Sequence, residues 1–407
     1  PVRENEYEGD AASNRQREIN EANSTGNVSH DLNASWVDID AAGADSEEKL
    51  VERMQHYLKV VDLEDDVYSI GLRQTIDPSV QLDFADSLLV ARQKMRERLD
   101  EGEISDYVES FDAEKFNSNA SVAENILFGT PVGETFEIEN LGHNDYVMGL
   151  LDKVGLREEF MQKGQRLAEI MVDLFQGLAP DHEFWERFSF ISPDDLPEFQ
   201  AILKRIGQNG LENASAEDRA LLVELPFKLI PARHHLGLVD EEFEARVLEA
   251  RKDFSENLPE NLRAAVEFFE AGSYNSASSI QDNILFGKSA SERAGSGEKV
   301  GELLAQVIDE CGLKNDVINL GLDYNVAIGG ARLSPIQRQK LAIARSLIKQ
   351  PELLIVNEAL SSLDSESEKA VLEGVRREQE GRSFMLVPSE IEVEGNFDQV
   401  FTMEGGR

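Results

Sequence analysis

The sequence predicts an α/β protein, in which a parallel sheet with flanking helices near the C-terminus is preceded by a mainly α-helical repeat region. Two observations carry this reading. Towards the C-terminus, a helix opening at Ser334 is followed by the apolar run Leu353 to Val356, a charged helix and a second apolar run, Phe384 to Val387. Strand, helix and strand at that spacing imply right-handed crossovers between parallel strands. Upstream, residues 116–129 repeat at 274–287, an offset of 158, with near-identical cores ending in Asn-Ile-Leu-Phe-Gly.

Taken in order, residues 1–48 are rich in Asn, Ser, Asp, Glu and Ala and poor in large apolar residues, which predicts a solvated acidic tail or linker. Residues 49–106 read as one helical repeat unit and 107–260 as a second that carries an insert. The repeat extends beyond its core: Phe84, Leu88, Ala91 and Arg92 align with Phe243, Val247, Ala250 and Arg251, and Gly164 aligns with Gly321. A weaker echo sets Leu63, Asp66, Val67, Gly71 and Leu72 over Leu313, Asp316, Val317, Gly321 and Leu322. Within the insert, Trp185, Phe188 and Phe190 at mixed spacing read as core rather than a ligand site. His234 and His235 lack partners at metal-ligand spacing and read as structural or surface residues.

Residues 261–407 read as an α/β domain. Ser334 followed by Gln337 is a capping box, and Pro335 falls at the first helical position, where its missing N–H costs nothing. Ile336, Leu341, Ala344 and Leu347 recur at helical spacing, and Pro351 stops the helix. The continuous apolarity of Leu353 to Val356 predicts a strand buried on both faces. A charged helix is expected over about 365 to 379, then strands over Phe384 to Val387 and Val400 to Met403.

The order Leu333-Ser334-x-x-Gln337-x-Gln339, Ala342-x-Ala344-Arg345, apolar strand, Glu358 and Ser362-Leu363-Asp364 resembles the signature helix, Walker B strand and D-loop of an ATP-binding cassette (ABC) transporter's nucleotide-binding domain. The likeness covers roughly residues 274–407, with an echo at 116–129. It implies a P-loop-NTPase-like cassette portion that couples ATP binding to membrane transport, with ATP and Mg²⁺ as cofactors. It further implies a transporter's transmembrane domain and a second nucleotide-binding domain as partners, at the inner, cytoplasmic face of a membrane. By the same resemblance Glu358 is the candidate catalytic base, Ser334, Gln337 and Asp364 would face the ATP of the opposite cassette, and Asn357 stands at the Mg²⁺ position.

The family's catalytic pattern is incomplete here. No G-x-x-x-x-G-K-[ST] loop occurs, and Gly287-Lys288-Ser289 has Asp282 where the first glycine must stand. Ala113 and Ala271 occupy the Q-loop glutamine positions. Pro335 and Ile336 replace the signature glycines, removing one N–H and placing a branched side chain where backbone would approach phosphate. Asn357 keeps the aspartate's shape without its charge, and Pro388 and Ser389 stand where a switch histidine is expected. Losing one preorganised phosphate-stabilising group costs about a hundredfold or more in rate. The expectation is a chain that does not hydrolyse ATP alone. The rival reading is a non-catalytic interaction or regulatory module with a relic cassette fold.

Composition bounds the partners. With 79 acidic and 40 basic residues among 407, the net charge is −39, which argues against nucleic acid or an anionic lipid surface. Cys311 is the single cysteine, so an internal disulfide or thiolate zinc cluster is excluded and a reducing compartment is expected. No segment approaches the roughly 18 consecutive apolar residues of a membrane span, so direct membrane insertion is not expected. The absence of an initiator Met and the stop after Glu404-Gly405-Gly406-Arg407 lead one to expect a piece of a longer polypeptide.

Overall fold

The computed structural model describes residues 7, 9–31, 37, 39–101, 104–290, 293, 295–388 and 397–401. In chain order its elements are α1 (Gly9–Thr25), α2 (Glu47–Val60), α3 (Glu64–Leu72), α4 (Leu82–Glu101), β1 (Val108–Ser110), α5 (Val122–Leu127), β2 (Gly129–Pro131), α6 (Ile138–Leu141), α7 (Asp145–Lys153), α8 (Arg157–Phe175), α9 (Glu183–Phe188), α10 (Leu196–Asn209), α11 (Ala216–Phe227), α12 (Pro231–His234), α13 (Glu241–Asn257), β3 (Val266–Phe268), α14 (Ile280–Leu285), β4 (Gly287–Ser289), α15 (Ser296–Glu310), α16 (Lys314–Leu322), α17 (Pro335–Leu347), β5 (Leu353–Asn357), α18 (Ser365–Glu378) and β6 (Ser383–Val387). They divide into two compact units, one of Pro1–Gly71 with Ile318–Arg407 and the other of Leu72–Val317.

The fold is mostly helical, and the broad parallel sheet expected from the sequence is not found among the described residues. Three two-stranded ladders are present: β1 with β4 and β2 with β3, both antiparallel, and β5 parallel to β6. Leu354 and Val356 of β5 are buried, but Leu353 and Ile355 are 54% and 55% exposed and Met385 of β6 is 50% exposed. The expectation of a strand buried on both faces is therefore wrong. Helices cover one face of the β5–β6 pair, and no described element covers the other. Val400 and Phe401 are not in a strand, and the rest of that expected strand, Thr402 and Met403, lies outside the described residues. The amino-terminal segment differs too, because it holds the helix α1, which propensity without an apolar face allows but periodicity does not reveal.

Unit Leu72–Val317 is built on the sequence repeat, and the two copies exchange parts. In copy one, residues 117 to 125 form a loop closed by Asn125: its Oδ1 accepts from Asn117 N at 2.8 Å and its Nδ2 donates to Asn117 O at 2.8 Å and Ser121 O at 3.0 Å. Asn283 does the same for Asn275 and Ser279, at 2.8, 2.8 and 3.0 Å. Each asparagine is then gripped by the arginine of the other copy. Arg251 on α13 donates Nε to Asn125 O (2.6 Å), Nη2 to Asn125 Oδ1 (2.8 Å), and Nη1 to the carbonyls of Asp112, Ala113 and Lys115. Arg92 on α4 donates Nε to Asn283 O (2.7 Å), Nη2 to Asn283 Oδ1 (2.9 Å), and Nη1 to the carbonyls of Glu270, Ala271 and Ser273. Ala113 and Ala271, the Q-loop positions, thus present their carbonyls to these arginines.

The strands repeat the exchange, since β1 and β2 of the first copy pair with β4 and β3 of the second. Phe111 and Phe269, equivalent in the repeat, stack at 4.2 Å with their planes 9° apart, as expected at a local two-fold axis. Phe128 and Phe286 adopt left-handed φ values of 43° and 44°, and the glycine after each lies against the partner strand. A Cβ on Gly129 would sit 2.5 Å from Glu267 O, and one on Gly287 2.6 Å from Glu109 O. That close approach explains why both copies of the motif end in Phe-Gly. Gly287-Lys288-Ser289 is strand β4, with Lys288 paired to Glu124 at 2.6 Å, and does not form a phosphate loop.

The insert supplies most of the remaining core. Trp185 and Phe190 are buried with Phe199, Ile202 and Phe227, as the sequence led us to expect; the side chain of Phe188 lies outside the described residues. Gly164 on α8 packs so tightly on α11 that a Cβ would fall 1.9 Å from Leu222 O. His234 is structural: its Nδ1 accepts from Ile230 N at 3.0 Å and its ring packs on Phe190.

Two predictions follow from this geometry. Burial pulls the guanidinium pKa of Arg92 and Arg251 down to about 10, so both remain charged at neutral pH and their grip is charge-assisted. Arg251→Met removes five charge-assisted hydrogen bonds, to four carbonyls and to Asn125 Oδ1, from a buried site, and it should cost about 3 kcal/mol in urea unfolding. Arg251→Lys, which cannot reproduce the five-donor fork, should recover less than half of that loss. For His234, burial first and the neighbouring Arg233 second push the pKa down to about 4, against an ordinary 6.5. The unfolded chain therefore binds a proton at a higher pH than the folded one, so stability falls as pH drops from about 6.5 towards 4. His234→Gln should flatten that slope, read as the urea midpoint between pH 7 and 4.5.

Candidate functional site

The residues singled out by their motif order lie in unit Pro1–Gly71 with Ile318–Arg407. Helix α17 begins as the sequence predicts: Ser334 Oγ accepts from Gln337 N at 3.1 Å, and Gln337 Oε1 accepts from Ser334 N at 3.0 Å. Both oxygens accept in the cap, and the exposed Ser334 hydroxyl keeps its own proton to donate. The other end of the Gln337 amide donates to Asp66 Oδ1 on α3 at 2.7 Å. One turn further, Lys340 is 5% exposed and donates to both Asp62 O (2.7 Å) and Asp62 Oδ2 (2.8 Å). Gln339 then ties the helix to the loop after β5, accepting from Ser362 N at 3.2 Å and donating to Ser362 Oγ at 3.0 Å.

That loop leaves the strand at Asn357 and Glu358, both exposed. Glu358 takes a left-handed φ of 51° while its N–H donates to Val387 O on β6 at 2.9 Å, so the chain turns sharply as it leaves the sheet. Asp364 caps α18, accepting from Glu366 N, Ser367 N and Ser367 Oγ at 2.9 to 3.1 Å. The Ser367 amide and hydroxyl hold its carboxyl below the usual carboxylate range. Ser334 and Gln337 are thus brought together, whereas Asp364 serves its own helix.

Sequence reasoning missed the floor of this site. Helix α2 packs on α17 and α18, with His56 Nε2 2.8 Å from Glu378 Oε1, and Gly374 lies so close to α2 that a Cβ would meet Val60 O at 2.4 Å. The signal for it was the echo of residues 310–322 at 60–72, together with a lysine on the inner face of an amphipathic helix.

Among the described residues no group of three or more His, Cys, Asp or Glu side chains is placed to hold a metal. Asn357 is neutral and Pro335 has no N–H to offer, so neither brings the anionic oxygen a Mg²⁺ ion prefers or a backbone donor to a phosphate. No helix among the described residues is long and apolar enough to cross a membrane.

Comparison with known proteins gives the ancestry. The chain is 35% identical over 129 residues to a multidrug resistance protein, sirA, of Leptosphaeria maculans, covering 31% of this chain and 10% of that protein. It is 34% identical over 131 residues to the ATP-dependent lipid A-core flippase of Xylella fastidiosa, covering 32% and 21%. It is 31% identical over 150 residues to a multidrug resistance ABC transporter ATP-binding and permease protein of Lactococcus lactis, covering 36% and 24%. About a third of the chain is homologous to ABC transporter proteins. The chain spans only about a tenth to a quarter of the length of these relatives. No family model and no solved structure matches it.

The Asp66–Gln337 contact joins the α17 cap to α3, and its contribution is measurable. Gln337→Ala and Asp66→Ala should each lower stability by about 1 kcal/mol. Because the two groups touch, a double-mutant cycle should return a coupling of about 0.5 kcal/mol or more rather than additivity.

Proposed function

We propose that this chain is the signature and Walker B portion of an ABC transporter's nucleotide-binding apparatus, and that it acts through a partner surface and does not turn over ATP by itself. The observation that supports it is the run α17, β5, α18 and β6, which keeps the helix cap, the Gln339–Ser362 tie and the exposed Asn357-Glu358 corner in the order of the homologous cassettes. In this reading the partners are a transmembrane domain and a second nucleotide-binding domain. ATP and Mg²⁺ are completed from residues outside this chain, with Glu358 the base and Ser334, Gln337 and Asp364 at the shared edge. The exposed apolar face of β5 and β6 is where the remaining sheet layer packs.

A second reading, a non-catalytic interaction or regulatory module, is favoured by one specific feature: Gln337 is held between Ser334 and Asp66. The two readings share the expectation that the chain alone binds no nucleotide, and they part on whether a separately supplied P-loop-bearing cassette restores hydrolysis, which only the first expects. Calorimetric titration of the purified chain with Mg-ATP should give no saturable heat, and phosphate release should not exceed the buffer rate. Clear saturable binding would sink the claim that the chain is incomplete. If a separately supplied P-loop-bearing cassette restores hydrolysis, Glu358→Gln should then abolish it by about a hundredfold or more; unchanged turnover in that variant excludes Glu358 as the base.

A further inference from the structure

Unit Pro1–Gly71 with Ile318–Arg407 contains a cavity of about 220 Å³ between α2, α3 and α17. Its wall is mainly apolar, with Met54, Leu58, Val67, Leu333, Leu341 and Ile348 among its residues, and Arg345 brings the one basic side chain to it. The Asp66 and Gln337 side chains at its edge satisfy each other. A dry pocket of about 150 Å³ is enough to take benzene, and drug-sized sites begin at about 300 Å³. The volume here falls between the two.

A second observation sits beside it. The segment from Tyr324 to Leu333 runs along the cavity, with Tyr324, Val326 and Leu333 in its wall. At its tip Ile328 is 98% exposed. The residue before it, Ala327, has φ 61° and ψ 178°, a conformation that suits glycine and strains any residue with a Cβ. Gly329 and Gly330 follow with φ of 66° and 71°, values that glycine adopts without strain, and the turn is closed by Gly330 N donating to Ala327 O at 3.1 Å. Asn325 steadies its base, accepting from Ala327 N through Oδ1 at 2.9 Å and from Arg332 Nη1 through its carbonyl at 3.1 Å. A strained residue, Ala327, thus separates Val326 in the cavity wall from Ile328, the most exposed large apolar side chain among the described residues.

We propose that this cavity binds a small uncharged apolar molecule of one or two fused rings, and that residues 324–333 are a strap whose Ile328 closes over it. The occupant follows from the volume, from a wall that is mainly apolar with its Asp66 carboxylate already engaged by Gln337, and from a cap residue that is itself apolar. Ile328 would be buried only in the closed state, which gives the ligand part of its affinity and slows its release.

The experiment is a fluorescence titration of the full chain with 1-aminoanthracene. Saturable binding at one site is expected, with Kd on the order of 10 to 100 μM for an apolar ligand of that size. Leu341→Trp, which fills the cavity, should abolish it; Ala344→Leu fills the same space more gently and guards against misfolding of the first variant. Ile328→Ser should weaken binding about fivefold, through faster dissociation in stopped flow. The proposal is overturned if no saturable signal appears, or if both filling variants bind as the parent does. It is also overturned if the parent fails but Ile328→Gly binds, because the cavity would then be the seat of the chain's own Ile328. An unchanged off-rate in Ile328→Ser removes the strap. None of these readouts depends on ATP, so they stand or fall separately from the transporter reading.

Discussion

Two buried arginines hold the larger unit in its form. A guanidinium presents five N–H donors in a rigid plane, and taking it out of water is tolerable only where acceptors meet nearly all of them. Arg92 and Arg251 find such sites, each with five acceptors at about hydrogen-bond distance and a phenylalanine ring beneath, Phe286 and Phe128 respectively. The carbonyls of residues 112, 113 and 115 converge only because Asn125 has folded the following loop back on itself. The asparagine makes the socket, and the arginine from the other copy closes it. Neither residue has a reason to be buried without its counterpart.

The same reciprocity governs the ladders. A three-residue antiparallel pair is too short to persist by itself. Here each pair is bracketed by an arginine socket and a Phe-Gly corner, and the corner needs the partner strand to lie within contact of glycine. Cross-copy pairing, socket and corner therefore form together, which makes the two copies one cooperative body rather than beads on a string. It also explains how a sequence duplication reads as helical yet places its strands where no local pattern shows them: their partners lie well over a hundred residues away in the chain.

What could be read from the sequence was what is decided locally. The capping box at Ser334 and Gln337, Pro335 at the first helical position and the apolar β5 run were legible because a few neighbouring residues determine each. The repeat was legible as identity, but its exchange was not, since Arg92 precedes the motif of its own copy in sequence yet grips the later copy instead. Lys340 illustrates the limit well. A lysine on a helix is ordinarily a solvated charge, and only the carbonyl and carboxylate of Asp62, held by a left-handed φ of 55°, make its burial affordable. For the candidate site, the residue types were legible, but that the Gln337 amide, beyond its cap with Ser334, donates to Asp66 depends on α3, far away in the chain.

The β5–β6 pair bears most directly on what the smaller unit can do. Parallel strands are ordinarily covered on both faces, because their side chains are apolar on both. Here Leu354 and Val356 point into the core while Leu353, Ile355 and Met385 remain half exposed. Leaving those three in water forgoes roughly 1 kcal/mol or more each in burial free energy. A surface that carries so costly a stripe beside the Asn357-Glu358 corner is suited to being covered, and whatever covers it will fix the position of that corner. Glu358 leaves the sheet through a left-handed turn whose N–H is anchored to Val387 O, so the course of its backbone is fixed by β6 rather than by neighbours in sequence.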